Sequence, residues 1–163
     1  MSNGVVEELG VYIAVKYNLY SILKINEIAE HYKVPNIIPL DKFHTTLIYS
    51  KKATPNVEIK NKVSYIALPD KLDIWESQSG SKSLVLTLKS KHLIDRNKEL
   101  TDKYNFISDY SKYIPHITIS YSIEDWNRID EMQTYLTNNK IYNIMSITSE
   151  YKDEIQADWS DSL

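Results

Sequence analysis

The stretch His44-Thr45-Thr46-Leu47-Ile48-Tyr49-Ser50 returns 72 residues later as His116-Ile117-Thr118-Ile119-Ser120-Tyr121-Ser122. Both copies read His-x-Thr-apolar-x-Tyr-Ser. β-Branched and aromatic side chains dominate each, so each is predicted to be a strand. Residues i and i+2 of a strand share a face. His44 is therefore expected to project with Thr46, and His116 with Thr118. Two such strands side by side would turn two imidazoles and two hydroxyls toward one cavity. Tyr49 and Tyr121 lie three residues beyond each threonine. A regular strand would point them to the other face, into the core.

The repetition extends outward from these copies. Residues 11–17 read as a strand and 19–33 as an amphipathic helix, with Leu19, Ile22, Leu23, Ala29 and Tyr32 at helical spacing. Pro35 and Pro39 mark a loop before the first motif strand, which opens near Lys42 or Phe43. A shift of 72 lays this pattern on a second strand over 83–89, a helix over 91–104 and a loop over 105–115. Between the halves, 51–55 reads as a turn and 62–68 as a strand broken by Pro69 and Asp70. A returning strand over 72–76 carries Trp75, and the polar loop 77–82 marks the boundary. After the second motif, Ser122 with Asp125 resembles a capping box. Trp126, Ile129, Met132 and Leu136 then line a helix to about residue 138. A last strand over 141–151 and a polar tail over 153–163 follow. The class is α+β: two pseudo-twofold related sheet-and-helix lobes around a central groove. One domain over 1–163 is expected, with lobes built around 11–50 and 83–122.

Composition narrows the function. The 163 residues suffice for one core, and 42% hydrophobic with 25% charged is ordinary for a globular chain. With no cysteine there is neither a disulfide framework nor a thiolate metal site, which fits an intracellular setting. No apolar run approaches a membrane span, and residues 1–10 lack the pattern of a signal peptide. The net charge is −3, and Arg96 and Arg128 are the only arginines. A grip on a long polyanion calls for a basic face, so a small nucleotide is favoured over long RNA or DNA. Three glycines and no GxGxxG or GxxxxGK[ST] argue against a phosphate loop.

Two imidazoles and two hydroxyls suit one chemistry in particular. Cleaving a phosphodiester beside a ribose 2′-hydroxyl needs a base for the hydroxyl proton. It needs an acid for the leaving oxygen, and donors for the charge that develops on phosphorus-bound oxygens. Imidazole titrates near neutrality and can fill either proton-transfer role. The threonine hydroxyls can hold the oxygens. No metal or cofactor is required. His31 and His92 fall on predicted helices, away from the motifs.

His44/Thr46 and His116/Thr118, on duplicated lobes, resemble the two-histidine phosphoesterase superfamily, which includes the RNA 2′,3′-cyclic phosphodiesterases. The implied fold is LigT-like. Val11-Tyr12-Ile13-Ala14-Val15-Lys16, Asp41-Lys42-Phe43 running into the first motif, and Pro115 running into the second resemble more closely the phage anti-CBASS phosphodiesterases. These destroy the cyclic di- and trinucleotide signals of bacterial antiviral defence. The resemblance implies a cyclic oligonucleotide substrate, no long nucleic acid, no membrane, a monomer, and action in the cytoplasm of an infected bacterium. It implies catalytic roles for His44, Thr46, His116 and Thr118. It makes Tyr12 a candidate for stacking on a base, and Trp159 a candidate for a lid over a nucleotide. Glu150 could accept from a base amino group, and Trp75 is a further candidate contact. RNA-directed members often carry a basic residue where Tyr121 stands, which weakens an RNA-end substrate. An RNA-end 2′,3′-cyclic phosphodiesterase and a binding protein that returns its ligand intact remain the alternatives.

Overall fold

A computed structural model describes residues 10–54, 56–107 and 112–155. The first repeat becomes β1 (Val11–Tyr17), α1 (Leu19–His31) and β2 (Thr45–Ser50), followed by a long strand β3 (Tyr65–Glu76). The second becomes β4 (Lys82–Lys89), α2 (Lys91–Tyr104) and β5 (His116–Ser120), followed by α3 (Ile129–Asn138) and β6 (Met145–Glu154). The strands form one six-stranded sheet in the order β2-β1-β6-β3-β4-β5. Every neighbouring pair is antiparallel. The pseudo-twofold thus passes between β6 and β3, and each lobe is half of one sheet.

The helices start where the sequence offers a side-chain acceptor. Asn18 caps α1 by accepting from the Ser21 N–H, and Ser90 caps α2 by accepting from the Leu93 N–H. These caps are themselves 72 residues apart. α2 ends at Asn105 in the left-handed conformation, which asparagine tolerates better than most residues. One cluster of buried side chains, among them Ile13, Ile25, Leu47, Leu86, Leu93 and Ile117, draws on both halves. Burying a side chain of this size contributes about 1.5–3 kcal/mol, so the halves stabilise each other.

Three expectations change. Pro69 and Asp70 do not end a strand: β3 runs through them. Pro69 faces Leu88 and Leu72 faces Leu86, so Asp70 and Lys71 oppose Thr87 in a bulge. A proline is tolerated where the ladder is already interrupted. Thr87 fills the gap, accepting from the Lys71 N–H and donating to the Lys71 carbonyl, each at 3.1 Å. Second, α3 begins at Ile129, with Arg128 and not Ser122 at its cap position. Asp125 has φ 64°, which a right-handed helix cannot accommodate. Trp126 therefore precedes the helix, and its indole donates to the Tyr32 carbonyl at 2.8 Å. Third, residues 140–143 form a 3₁₀ turn, so the last strand starts at Met145 and not at 141.

β2 and β5 stand at opposite ends of the strand order, yet they are sewn together. The loop before β2 reaches β5: Ile37 bridges Ser120, and the Ile38 N–H donates to the Ile119 carbonyl at 2.9 Å. The Ser120 hydroxyl donates to the Pro35 carbonyl at 2.7 Å. The loop before β5 reciprocates. Tyr113 donates its phenol proton to the Thr46 carbonyl at 2.7 Å, and the Ile107 N–H donates to the Ser50 hydroxyl at 3.2 Å. Each motif strand is held by the loop that leads into the other.

Candidate active site

Both motif strands carry one extra residue. Ala14 pairs with Thr46 but Ile13 with Ile48, leaving Leu47 as the bulge. Val85 pairs with Thr118 but Leu84 with Ser120, leaving Ile119 as the bulge. A bulge reverses the alternation beyond it. Tyr49 thus pairs with Tyr12 and shares the face of Thr46. Tyr121 likewise returns to the face of Thr118. Both tyrosines were expected on the opposite face, and the bulges are why they are not.

The two histidines are held alike. His44 Nδ1 lies 2.8 Å from the Lys42 carbonyl, and His116 Nδ1 lies 3.0 Å from the Ile114 carbonyl. A carbonyl accepts only, so each Nδ1 is the protonated nitrogen and Nε2 carries the basic lone pair. An aromatic ring stands edge-on to each: Tyr12 at 6.3 Å from His44, and Trp75 at 4.4 Å from His116. Burial holds the proton affinity of His44 below the usual imidazole range. The Lys42 carbonyl works against that, while Lys16 and His116 lower it further. The two imidazoles are therefore close enough to sense each other's charge.

The threonines face a phenol each. The Tyr12 hydroxyl lies 3.2 Å from Thr46 Oγ1. Tyr12 also bonds the Tyr151 side chain, and their rings meet edge-on at 6.1 Å. On the opposite face of β2, Thr45 Oγ1 makes a separate buried bond with the Tyr17 hydroxyl at 2.5 Å.

The remaining candidates divide. Trp75 adjoins His116, and its indole donates to Asp73 Oδ2 at 3.0 Å. Tyr12 is near the motif but only 4% exposed; it offers no open face for a base and touches Thr46 instead. Glu150 is a correction. It pairs with Val15, one residue out of step with Tyr12 and Ala14, and so faces the helices. Its carboxylate accepts from Arg96 Nε at 2.7 Å and Nη2 at 3.0 Å, from the Tyr65 hydroxyl at 3.2 Å, and from the Lys60 N–H at 2.8 Å. Burial works against the Arg96 charge, but Glu150 outweighs it and holds the guanidinium above its ordinary value. The carboxylate is saturated inside the protein. Trp159 lies outside the described residues.

Lys16 was missed. It shares the Tyr12 face of β1, donates to the Asp41 carbonyl at 2.9 Å, and stands 5.1 Å over the Tyr151 ring. The signal was available, since positions 12, 14 and 16 of one strand share a face. Among the described residues, no group of three or more His, Asp or Glu side chains is placed to hold a metal ion. None of the helices among them is long and apolar enough to cross a membrane.

The fold is LigT-like. A crystal structure of a phosphoesterase superimposes with a TM-score of 0.55 at 11% identity, over 90% of this chain and 88% of that one. LigT of E. coli, complexed with ATP, superimposes at 0.51 and 12% identity, over 91% of this chain and 88% of that one. The chain belongs to the family described as Anti-CBASS protein Acb1, whose model matches residues 9–162. Acb1 of Enterobacteria phage T4 is 29% identical over 154 residues, covering 94% of this chain and 93% of its own. Acb1 of Yersinia phage phiR1-RT is 30% identical over 155 residues, covering 94% of each.

Proposed function

We propose that the chain is a metal-independent phosphodiesterase that opens 3′–5′ bonds of cyclic di- and trinucleotides and so counters CBASS defence in the cytoplasm of an infected bacterium. It acts as one domain and as a monomer. The observation that carries this reading is the matched clamp on His44 and His116, each beside a threonine on the same sheet face. Family membership supplies the substrate class.

His44 is the better base, because burial and the Lys16 charge keep it neutral at lower pH than an ordinary imidazole. His44 Nε2 takes the ribose 2′-hydroxyl proton. The 2′-oxygen attacks phosphorus and the bond from phosphorus to the 5′-oxygen breaks. His116 gives its proton to that oxygen. Thr46 and Thr118 donate to the non-bridging oxygens as charge builds there. The product is a ring-opened nucleotide ending in a 2′,3′-cyclic phosphate.

The test is incubation with 3′,3′-cyclic dinucleotides in excess EDTA, with chromatography of the products. Cleavage should persist, and a 2′-deoxy analogue should resist. Loss of cleavage in chelator defeats the metal-free mechanism. Ligand bound but returned intact makes the protein a sponge, and preference for short RNAs with a terminal cyclic phosphate makes it an RNA-end enzyme.

A further inference from the structure

The mechanism gives the threonines a task that a lone hydroxyl performs poorly. A threonine hydroxyl rotates, and it helps a phosphoryl oxygen only while its proton points there. Something must take the other side of the oxygen. In both halves a phenol stands there: Tyr12 lies 3.2 Å from Thr46, and Tyr121 shares the face of Thr118. The two phenols come from different places. Tyr12 is the second residue of β1, whereas Tyr121 follows the end of β5 and reaches Thr118 only because Ile119 is bulged out. Two unrelated positions thus set a phenol on the face of each threonine. Tyr151 of β6, paired with Ala14, adds a third phenol bonded to Tyr12, and Tyr121 acts electrostatically on both.

We infer that Tyr12 and Tyr121 are paired positioning residues that fix the Thr46 and Thr118 hydroxyls as donors toward the substrate phosphate, with Tyr151 ordering Tyr12 from behind. Each phenol carries one proton. In this arrangement the Tyr12 phenol proton is directed at Thr46 Oγ1, which leaves Thr46 its own proton for the phosphate. Tyr121, on the face of Thr118, takes the same part there. Burial raises the proton affinity of all three phenols above the ordinary tyrosine range, so they remain donors throughout neutral pH. The phenols need not touch the substrate. This inference rests on the assignment of Thr46 and Thr118 as phosphate donors.

The test is a set of double-mutant cycles read in kcat and KM with a 3′,3′-cyclic dinucleotide. One hydrogen bond is worth about tenfold at most. Tyr12→Phe and Tyr121→Phe should each lower kcat by up to about tenfold and leave KM little changed. Tyr12→Phe should cost almost nothing further in a Thr46→Val background, and Tyr121→Phe almost nothing in Thr118→Val. The crossed pair, Tyr12→Phe with Thr118→Val, should multiply. Tyr17→Phe removes an equivalent phenol–threonine bond on the other sheet face. It should lower the urea midpoint and spare kcat. If Tyr12→Phe is silent, or multiplies in full with Thr46→Val, the positioning role is wrong. If Thr46→Val and Thr118→Val are themselves silent, the reading of the site fails first.

Discussion

Leu47 and Ile119 occupy equivalent bulges in the two halves, but their carbonyls are satisfied differently. The Asn97 side chain of α2 donates to the Leu47 carbonyl at 2.8 Å, whereas the Ile38 backbone N–H takes the Ile119 carbonyl. His44 stands beside Tyr12 with a cation, Lys16, on the neighbouring strand; His116 stands beside Trp75. The position 72 residues after Lys16 is Leu88, which is buried. Duplication gave each half the same two reacting groups, and the surroundings then diverged. Shared chemistry needs only the strands, and the difference in role between acid and base needs unlike surroundings.

The largest effects test that division of labour. His44→Ala and His116→Ala should each lower kcat by roughly 10²–10⁴-fold. The two variants should differ in their pH–rate profiles: the first loses the acidic limb and the second the basic limb. Identical profiles would make the halves interchangeable and break the comparison.

Next comes the buried ion pair, which has no counterpart among the described residues of the first half. Arg96→Met strands the Glu150 carboxylate, whose side chain has no exposure, and should cost about 3–5 kcal/mol in urea unfolding. The equivalent position in the first half is Lys24, half-buried and bonded to the Tyr142 carbonyl. Lys24→Met should cost less than about 0.5 kcal/mol.

The helix caps give a smaller contrast. Asn18→Ala and Ser90→Ala should each cost about 0.5–2 kcal/mol. Ser90→Ala should be the worse, because that hydroxyl also donates to the Ile66 carbonyl at 2.6 Å. Equal midpoints would show that this second bond contributes nothing.

The smallest effect concerns Lys16. His44 binds its proton less readily in the folded protein than its ordinary value of 6.5. As pH falls below about 6.5 the unfolded chain takes up that proton first, so stability falls until the folded value is passed. Above that window the contribution is fully present. Lys16→Met removes one of the charges that lower His44, so the His44 titration followed by NMR should move up and the pH window should narrow. A titration that stays in place would assign the depression to burial and His116.

Much of this was legible from residues alone. Residues 11–17 and 91–104 are the bounds of β1 and α2 as the periodicity set them. The repeat set Thr46, His116 and Thr118 on matching strands, whereas His44 falls just before β2, which opens at Thr45 and not at Lys42 or Phe43. The bulges were not legible, because Leu47 and Ile119 are ordinary strand residues with no glycine to mark a kink. Pro69 misled for the converse reason: a breaker by composition was absorbed by Thr87. Glu150 was misplaced because parity along β6 can be fixed only by its pairing with β1. The partner that neutralises it, Arg96, lies on a helix 54 residues away.

One extra residue per motif strand has a consequence for reading relatives. Three polar side chains stand on one side of a seven-letter word, at intervals of two and then three. An unbroken strand permits only even intervals. The odd step from Thr46 to Tyr49, and from Thr118 to Tyr121, is therefore the written trace of the kink. A related chain that shortens the step to two has straightened its strand; its tyrosine is no substitute for these.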